Sequence, residues 1–185
     1  MTESQHTAGS TLTNDPPVFL ISVIMECRRV SRGDWSWPEW RVHGVTTARS
    51  AASDSAAGLE TTRIDSEKDV ERYLSTGLVM RFYRDAAEIY WHNLQGRQPS
   101  MFVVCRPQDA EETGSALAPF LVTVDQSEAE AYIEGDDTVF AVPIPQDVYG
   151  RLERFVMDYY RPSQQRKRKR NKWSDNRDPD ASRKH

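Results

Sequence analysis

Between Val18 and Arg29 the side chains alternate: Phe19, Ile21, Val23, Met25 and Cys27 fall on one face, Leu20, Ser22, Ile24 and Glu26 on the other. A repeat of two is the period of a strand, so this run commits the chain to a sheet buried on one side and mostly covered on the other. Its Ile and Val content favours the same conformation. Toward the other end the period changes. Val148, Leu152, Phe155, Val156 and Tyr159 fall at i, i+4, i+7, i+8 and i+11, one apolar stripe, with Arg151, Arg154 and Asp158 opposite. Pro145 suits the first turn of that helix and Pro162 its stop. Gly150 inside it costs about 1 kcal/mol relative to Ala, which points to close packing or local fraying. Strands first and an amphipathic helix last predict an α+β fold: a largely antiparallel sheet of about six strands with the C-terminal amphipathic helix packed on it.

The segments between are read from turn residues and alternation. Ser31 to Glu39, with Gly33, Asp34 and Pro38, reads as a long loop, and a second strand starts at Trp40 and runs through Val42 to Gly44-Val45, antiparallel to the first. Thr46 to Glu60 reads as a flexible excursion. Leu78 to Arg84 is a strand, Ala86 to Ile89 is short and helix-prone, and Tyr90 to Gln95 fits either strand or helix, a hairpin with strand Met101 to Arg106 across Gly96 to Ser100 being the favoured reading. Phe120 to Val124 is a further strand. A short helix begins at Asp125 to Ser127, with Ser127 and Glu130 spaced for reciprocal capping, and ends at Gly135. Thr138 to Val142 is the last strand.

The 185 residues suit one domain with tails. Five Trp, seven Tyr and six Phe supply enough apolar bulk to offset ordering entropy, which argues against a long disordered chain. The longest apolar run, Val18 to Met25, falls well short of the roughly 20 residues a bilayer helix needs. Met1 to Pro17 lacks the basic start and apolar stretch of a secretory signal, so a cytoplasmic protein is expected. The small net charge of −4 conceals a split. Arg161 to His185 carries ten basic and three acidic residues, a net of +7, which leaves −11 on the other 160 residues of the −4 chain. The expected organisation is a disordered tail over 1–17, a single α+β domain over 18–162, and a disordered basic tail over 163–185.

Two segments are candidate partner-binding surfaces. Trp35, Trp37 and Trp40 form W-S-W-P-E-W around a turn, and exposed Trp is a frequent interface anchor, while folding back onto the core edge is the alternative. Trp37 is expected to be the most exposed of the three. In the tail, Arg166, Lys167, Arg168, Lys169 and Arg170, followed by Trp173, suit an acidic protein or a phosphate backbone, or simply a solvated terminus. Chemistry is harder to find. There is no G-x-S-x-G, H-E-x-x-H or phosphate-cradling glycine loop, so no catalytic residue, cofactor or metal ligand is assigned. Cys27 and Cys105 are expected to be buried, reduced thiols. An unrecognised pocket near Arg81, Asp85 and His92 is the one enzymatic reading retained.

Several segments taken together resemble a bacterial family of unknown function, DUF3305. They are I-S-V-I-M-E-C-R-R at Ile21 to Arg29, Trp35 and Trp40 leading to Gly44-Val45, and G-L-V-M-R-F-Y-R-D-A-A-E at Gly77 to Glu88. P-S-M-F-V at Pro99 to Val103 and F-V-M-D-Y-Y-R-P at Phe155 to Pro162, with basic residues after it, complete the set. The resemblance spans about Val18 to Arg170, and the Ala-rich stretch Thr47 to Gly58 is longer than the family leads one to expect. It implies no activity or catalytic residue. Genes of this family often neighbour those for molybdenum-containing formate dehydrogenases and a molybdoenzyme chaperone. The resemblance therefore implies a non-catalytic accessory protein in formate dehydrogenase maturation or assembly, whose partner is a subunit of that enzyme or its chaperone. The alternative is a nucleic-acid-binding regulator acting through the basic tail.

Overall fold

In the computed structural model, which describes residues 18–49, 58–108 and 116–162, strand β1 runs from Val18 to Arg32. Its alternation is realised: Phe19, Ile21, Val23 and Met25 are buried on the core face. β2 (Trp35–Arg49) returns antiparallel after only two residues, Gly33 and Asp34. Gly33 sits at φ +62, the left-handed position at which a two-residue turn of the II′ form needs glycine. The expected long loop over Ser31 to Glu39 is therefore strand and tight turn, and the W-S-W-P-E-W motif lies in β2. Pro38 is tolerated there because β2 is an edge strand.

β3 (Glu60–Glu67) and β4 (Val70–Arg81) complete a sheet in the order β2-β1-β4-β3, antiparallel throughout. A 3-10 turn (Arg84–Ala86) then leads into helix α1 (Ala87–Gln95). Tyr90 to Gln95 is thus helical and not a hairpin strand, so the chain leaves the first sheet here and begins a second. That sheet contains β5 (Ser100–Gln108), β6 (Ala116–Thr123) and β7 (Thr138–Pro143) in the order β6-β5-β7, with helix α2 (Gln126–Glu134) crossing from β6 to β7. The described residues therefore form two antiparallel sheets, of four and three strands, in place of one sheet of about six. The α2 cap is Asp125, whose Oδ1 accepts from the Glu128 backbone N–H at 3.0 Å, two residues ahead of the expected Ser127.

Helix α3 (Gln146–Tyr159) buries Val148, Leu152, Phe155 and Val156 of the predicted stripe, while its last member, Tyr159, is exposed. The Phe155 ring lies 5.4 Å from Phe82 and 6.2 Å from Tyr90, so α3 packs on α1 and the end of the first sheet. Both sheets and these helices share one core. Asn93 fixes α1 to the second sheet: its Nδ2 donates to the Ser100 and Val124 carbonyls at 2.7 and 2.9 Å, and its Oδ1 accepts from the Ser100 N–H at 2.9 Å. A Cβ built on Gly150 meets no atom of another element within 4 Å, so of the two readings of this glycine, close packing and fraying, close packing is not found. Among the described residues no helix is long and apolar enough to cross a membrane.

Candidate functional site

The pairing register sorts the three tryptophans. Trp40 pairs with Cys27 and packs against the core, with its ring 5.6 Å from that of Tyr73. Trp37 pairs with Val30 and Trp35 with Arg32, positions on the opposite face of the hairpin. Trp35 is 79% exposed and Trp37 44%, so the most exposed indole is Trp35 and not, as expected, Trp37. Because the turn is tight and both strands are 15 residues long, these indoles are presented by a paired hairpin and not by a loop.

Beside them, an open groove of about 470 Å³ is lined by Trp37, Pro38, Glu39 and Trp40 of β2 and by Leu117, Thr138 and Phe140 of the second sheet. The W-S-W-P-E-W motif thus has three roles: Trp40 is a core edge, Trp37 a groove wall, and Trp35 a free apolar surface.

The opposite face of the hairpin holds a group that the sequence reading left as one polar position in an apolar strand. Glu26 is fully buried. Its Oε1 accepts from Arg41 Nε at 2.8 Å and lies 2.5 Å from Arg41 Nη2, and its Oε2 accepts from Arg72 Nε at 3.0 Å. His43 Nδ1 is 3.3 Å from Oε2, and Arg28 Nη2 is 3.8 Å from Oε1. Burial acts to raise the Glu26 carboxyl, but the hydrogen bonds from Arg72 and Arg41 outweigh it and hold the group below its ordinary range. His43 reaches the carboxylate because it is the extra residue where the register shifts: Ile24 pairs with Gly44 and Met25 with Val42. Arg72 also meets Asp65 at 2.9 Å, so one row of alternating charge, Arg41, Glu26, Arg72, Asp65, crosses all four strands.

Arg81, Asp85 and His92 are each exposed. A shallow depression of about 220 Å³ is lined by Arg81 together with Val79, Tyr83, Leu121, Val122, Thr123 and Glu128, and includes neither Asp85 nor His92. The enzymatic reading built on those three residues is not supported. Cys105 is buried, which pushes its thiol up to about 12, whereas Cys27 is only half-buried; both are free. Among the described residues no group of three or more His, Cys, Asp or Glu could hold a metal ion. Arg166, Lys167, Arg168, Lys169, Arg170 and Trp173 lie outside the described residues, as do 1–17 and most of the Ala-rich stretch.

The segments that suggested a family are largely core. Ile21, Val23 and Met25 from the first, Leu78, Met80 and Phe82 from the third, Met101 and Val103 from the fourth, and Phe155 and Val156 from the last meet in one cluster. The family model of a protein of unknown function, DUF3305, matches residues 20–169, from β1 through α3. The chain belongs to the DUF3305 family. No curated protein and no solved structure matches it. The DUF3305 match takes in the tryptophan hairpin and the Glu26 row.

Proposed function

We propose that this DUF3305 protein is a non-catalytic accessory protein that docks a protein partner through the β1–β2 hairpin and the adjoining groove. The observation that carries the reading is Trp35, 79% exposed on a paired hairpin beside an apolar groove. Large aromatic side chains held in place lose little entropy on binding and serve as anchors in interfaces. The partner we propose is a subunit of a molybdenum-containing formate dehydrogenase or its chaperone, a choice that rests on the gene neighbourhood of the family alone. The basic tail, Arg166 to Arg170 with Trp173, is proposed as a second contact for the same partner.

A deletion strain of the native host tests this. Formate oxidation should fall on deletion, return with the wild-type gene, and stay low with Trp35→Ala/Trp37→Ala expressed at equal abundance. Normal formate oxidation in the deletion strain rejects the assignment to that enzyme.

A further inference from the structure

The face of the first sheet turned away from the core can be followed rung by rung. On its two central strands Leu20 of β1 stands beside Val79 of β4, and Ile24 beside Leu74, which makes an apolar stripe along the line between them. Leu20, Ile24 and Leu74 are half-buried and Val79 is exposed, yet none of the four belongs to the shared core or packs against it. Helix α3 lies on the other face, with Arg151 5.5 Å from the Phe19 ring. Across the stripe runs the row Arg41, Glu26, Arg72, Asp65, which reads plus, minus, plus, minus from β2 to β3. That order is opposite in sign to its own reverse. Turned over about an axis along the stripe, the row sets Arg41 against Asp65 and Glu26 against Arg72, while Ile24 falls on Leu74 and Leu20 on Val79. Glu26 is buried, so the pair that reaches across is Arg41 with Asp65, whose side chains are 58% and 41% exposed. The next row, Glu39, Arg28, Val70, Glu67, sets the Arg28 stem on Val70 and leaves one like-charge pair, Glu39 with Glu67, at the exposed rim.

We propose that a second copy of this chain docks on the outer face of the first sheet, about a two-fold axis that runs along the strands between β1 and β4. A row of alternating sign favours neither an acidic nor a basic partner, whereas its own copy turned over matches it charge for charge. Sheets stacked face to face keep their strands within about 30° of each other, so the pairing is closest near the axis, where the apolar stripe lies. Four strands about 4.8 Å apart and the run from Val18 to Arg28 at about 3.3 Å per residue cover at most roughly 600 Å² on each copy. The total of about 1,200 Å² is the lower end of specific interfaces, the size of a weak, reversible dimer. Beyond Arg28 the hairpin, with Trp37 and Trp35, has no neighbour on β4 and stays outside the contact. Because the axis follows the strands, both hairpins project from the same end of the pair. The proposal goes beyond the docking of a separate partner and does not depend on it.

Sedimentation equilibrium of the full chain in about 150 mM salt, over about 5 to 200 μM protein, should show a monomer–dimer equilibrium with a micromolar Kd. Val79→Glu, at an exposed position, sets a carboxylate from each copy beside the axis and should weaken the dimer about tenfold or more, with an unchanged circular dichroism spectrum to check the fold. The rim tests the register itself. Glu39→Lys or Glu67→Lys alone turns the like-charge pair into an opposite one and should tighten the dimer at least about threefold, whereas the two together restore a like-charge pair and should return the affinity to near wild type. Both positions are exposed, so these variants serve if Val79→Glu does not fold. The tail is identical in every protein compared. A chain that stays monomeric at about 200 μM overturns the proposal, as does a dimer indifferent to Val79→Glu or one that the single lysines fail to tighten. A dimer lost with Trp35→Ala/Trp37→Ala and kept with Val79→Glu forms through the hairpin, which overturns it as well. The docking of a separate partner stands or falls with formate oxidation in the deletion strain, so the two readings fail separately.

Discussion

Glu26→Gln changes the centre of the charged row with almost no change in shape. The carboxylate accepts from Arg41 at 2.8 Å and Arg72 at 3.0 Å while fully buried. A hydrogen bond to a charged group contributes about 1.5–3 kcal/mol, against about 1 kcal/mol for a neutral pair. The amide also sets an NH₂ against one of the two guanidiniums, so the expected loss is about 2 kcal/mol at pH 7, or about 6 °C in melting temperature for a domain of this size. The pH dependence carries the stronger test. The folded carboxyl is held below its ordinary range, so the unfolded chain binds the proton more readily. The stability that ionised Glu26 provides is therefore in place above the ordinary carboxyl range and is lost as the pH falls through the lowered folded value. Glutamine does not titrate, so the gap between wild type and variant should narrow as the pH is lowered from 7 toward 3. Urea titrations followed by tryptophan emission at several pH values measure it. A gap that is constant or that widens in acid would refute the picture of an ionised, arginine-paired Glu26.

Three further outcomes follow from the packing. Asn93→Ala removes three hydrogen bonds and leaves the Ser100 and Val124 carbonyls without that donor, at a cost of about 2–3 kcal/mol in urea unfolding. Trp40→Ala should destabilise by about 2–3 kcal/mol, because its ring packs on Tyr73 at the core edge, whereas Trp35→Ala should stay within about 0.5 kcal/mol of wild type; thermal melts of the two separate core from surface within one motif. Gly33→Ala and Gly150→Ala should move stability in opposite directions in the same assay. Neither Cβ meets an atom within 4 Å, but Gly33 sits at φ +62, where alanine costs about 1 kcal/mol, and Gly150 lies in a helix, where alanine gains about 0.5–1 kcal/mol.

What could be read from the sequence was set by burial. β1 and α3 each bury one face, so their periods of two and 3.6 appear in the order of apolar residues. β3 does not: in Glu60–Glu67 all positions but Asp65 are exposed, and an edge strand without a buried face leaves no alternation to detect. α1 was hidden by its composition, since the residues it buries are Ala87, Tyr90 and Asn93, of which only Tyr90 looks like core. Misreading α1 as a strand is also what merged two sheets into one. The tryptophan segment looked like a loop because Gly33, Asp34 and Pro38 are turn residues, although two of them occupy a tight turn and the third an edge strand. Within the site, the tryptophans were legible as anchors from residue type alone. The Glu26 row was not, because its partners Arg41 and Arg72 come from 15 and 46 residues away and meet only through strand register.

The central claim, that the β1–β2 hairpin is a docking surface for a protein partner, is tested most directly by affinity capture from the native host. The full-length protein and its Trp35→Ala/Trp37→Ala variant are used at matched abundance, and the recovered proteins are identified by mass spectrometry. A formate dehydrogenase subunit or its chaperone recovered with wild type and depleted about tenfold or more with the variant is the predicted result. Recovery of the same proteins in the same amounts by both would contradict it.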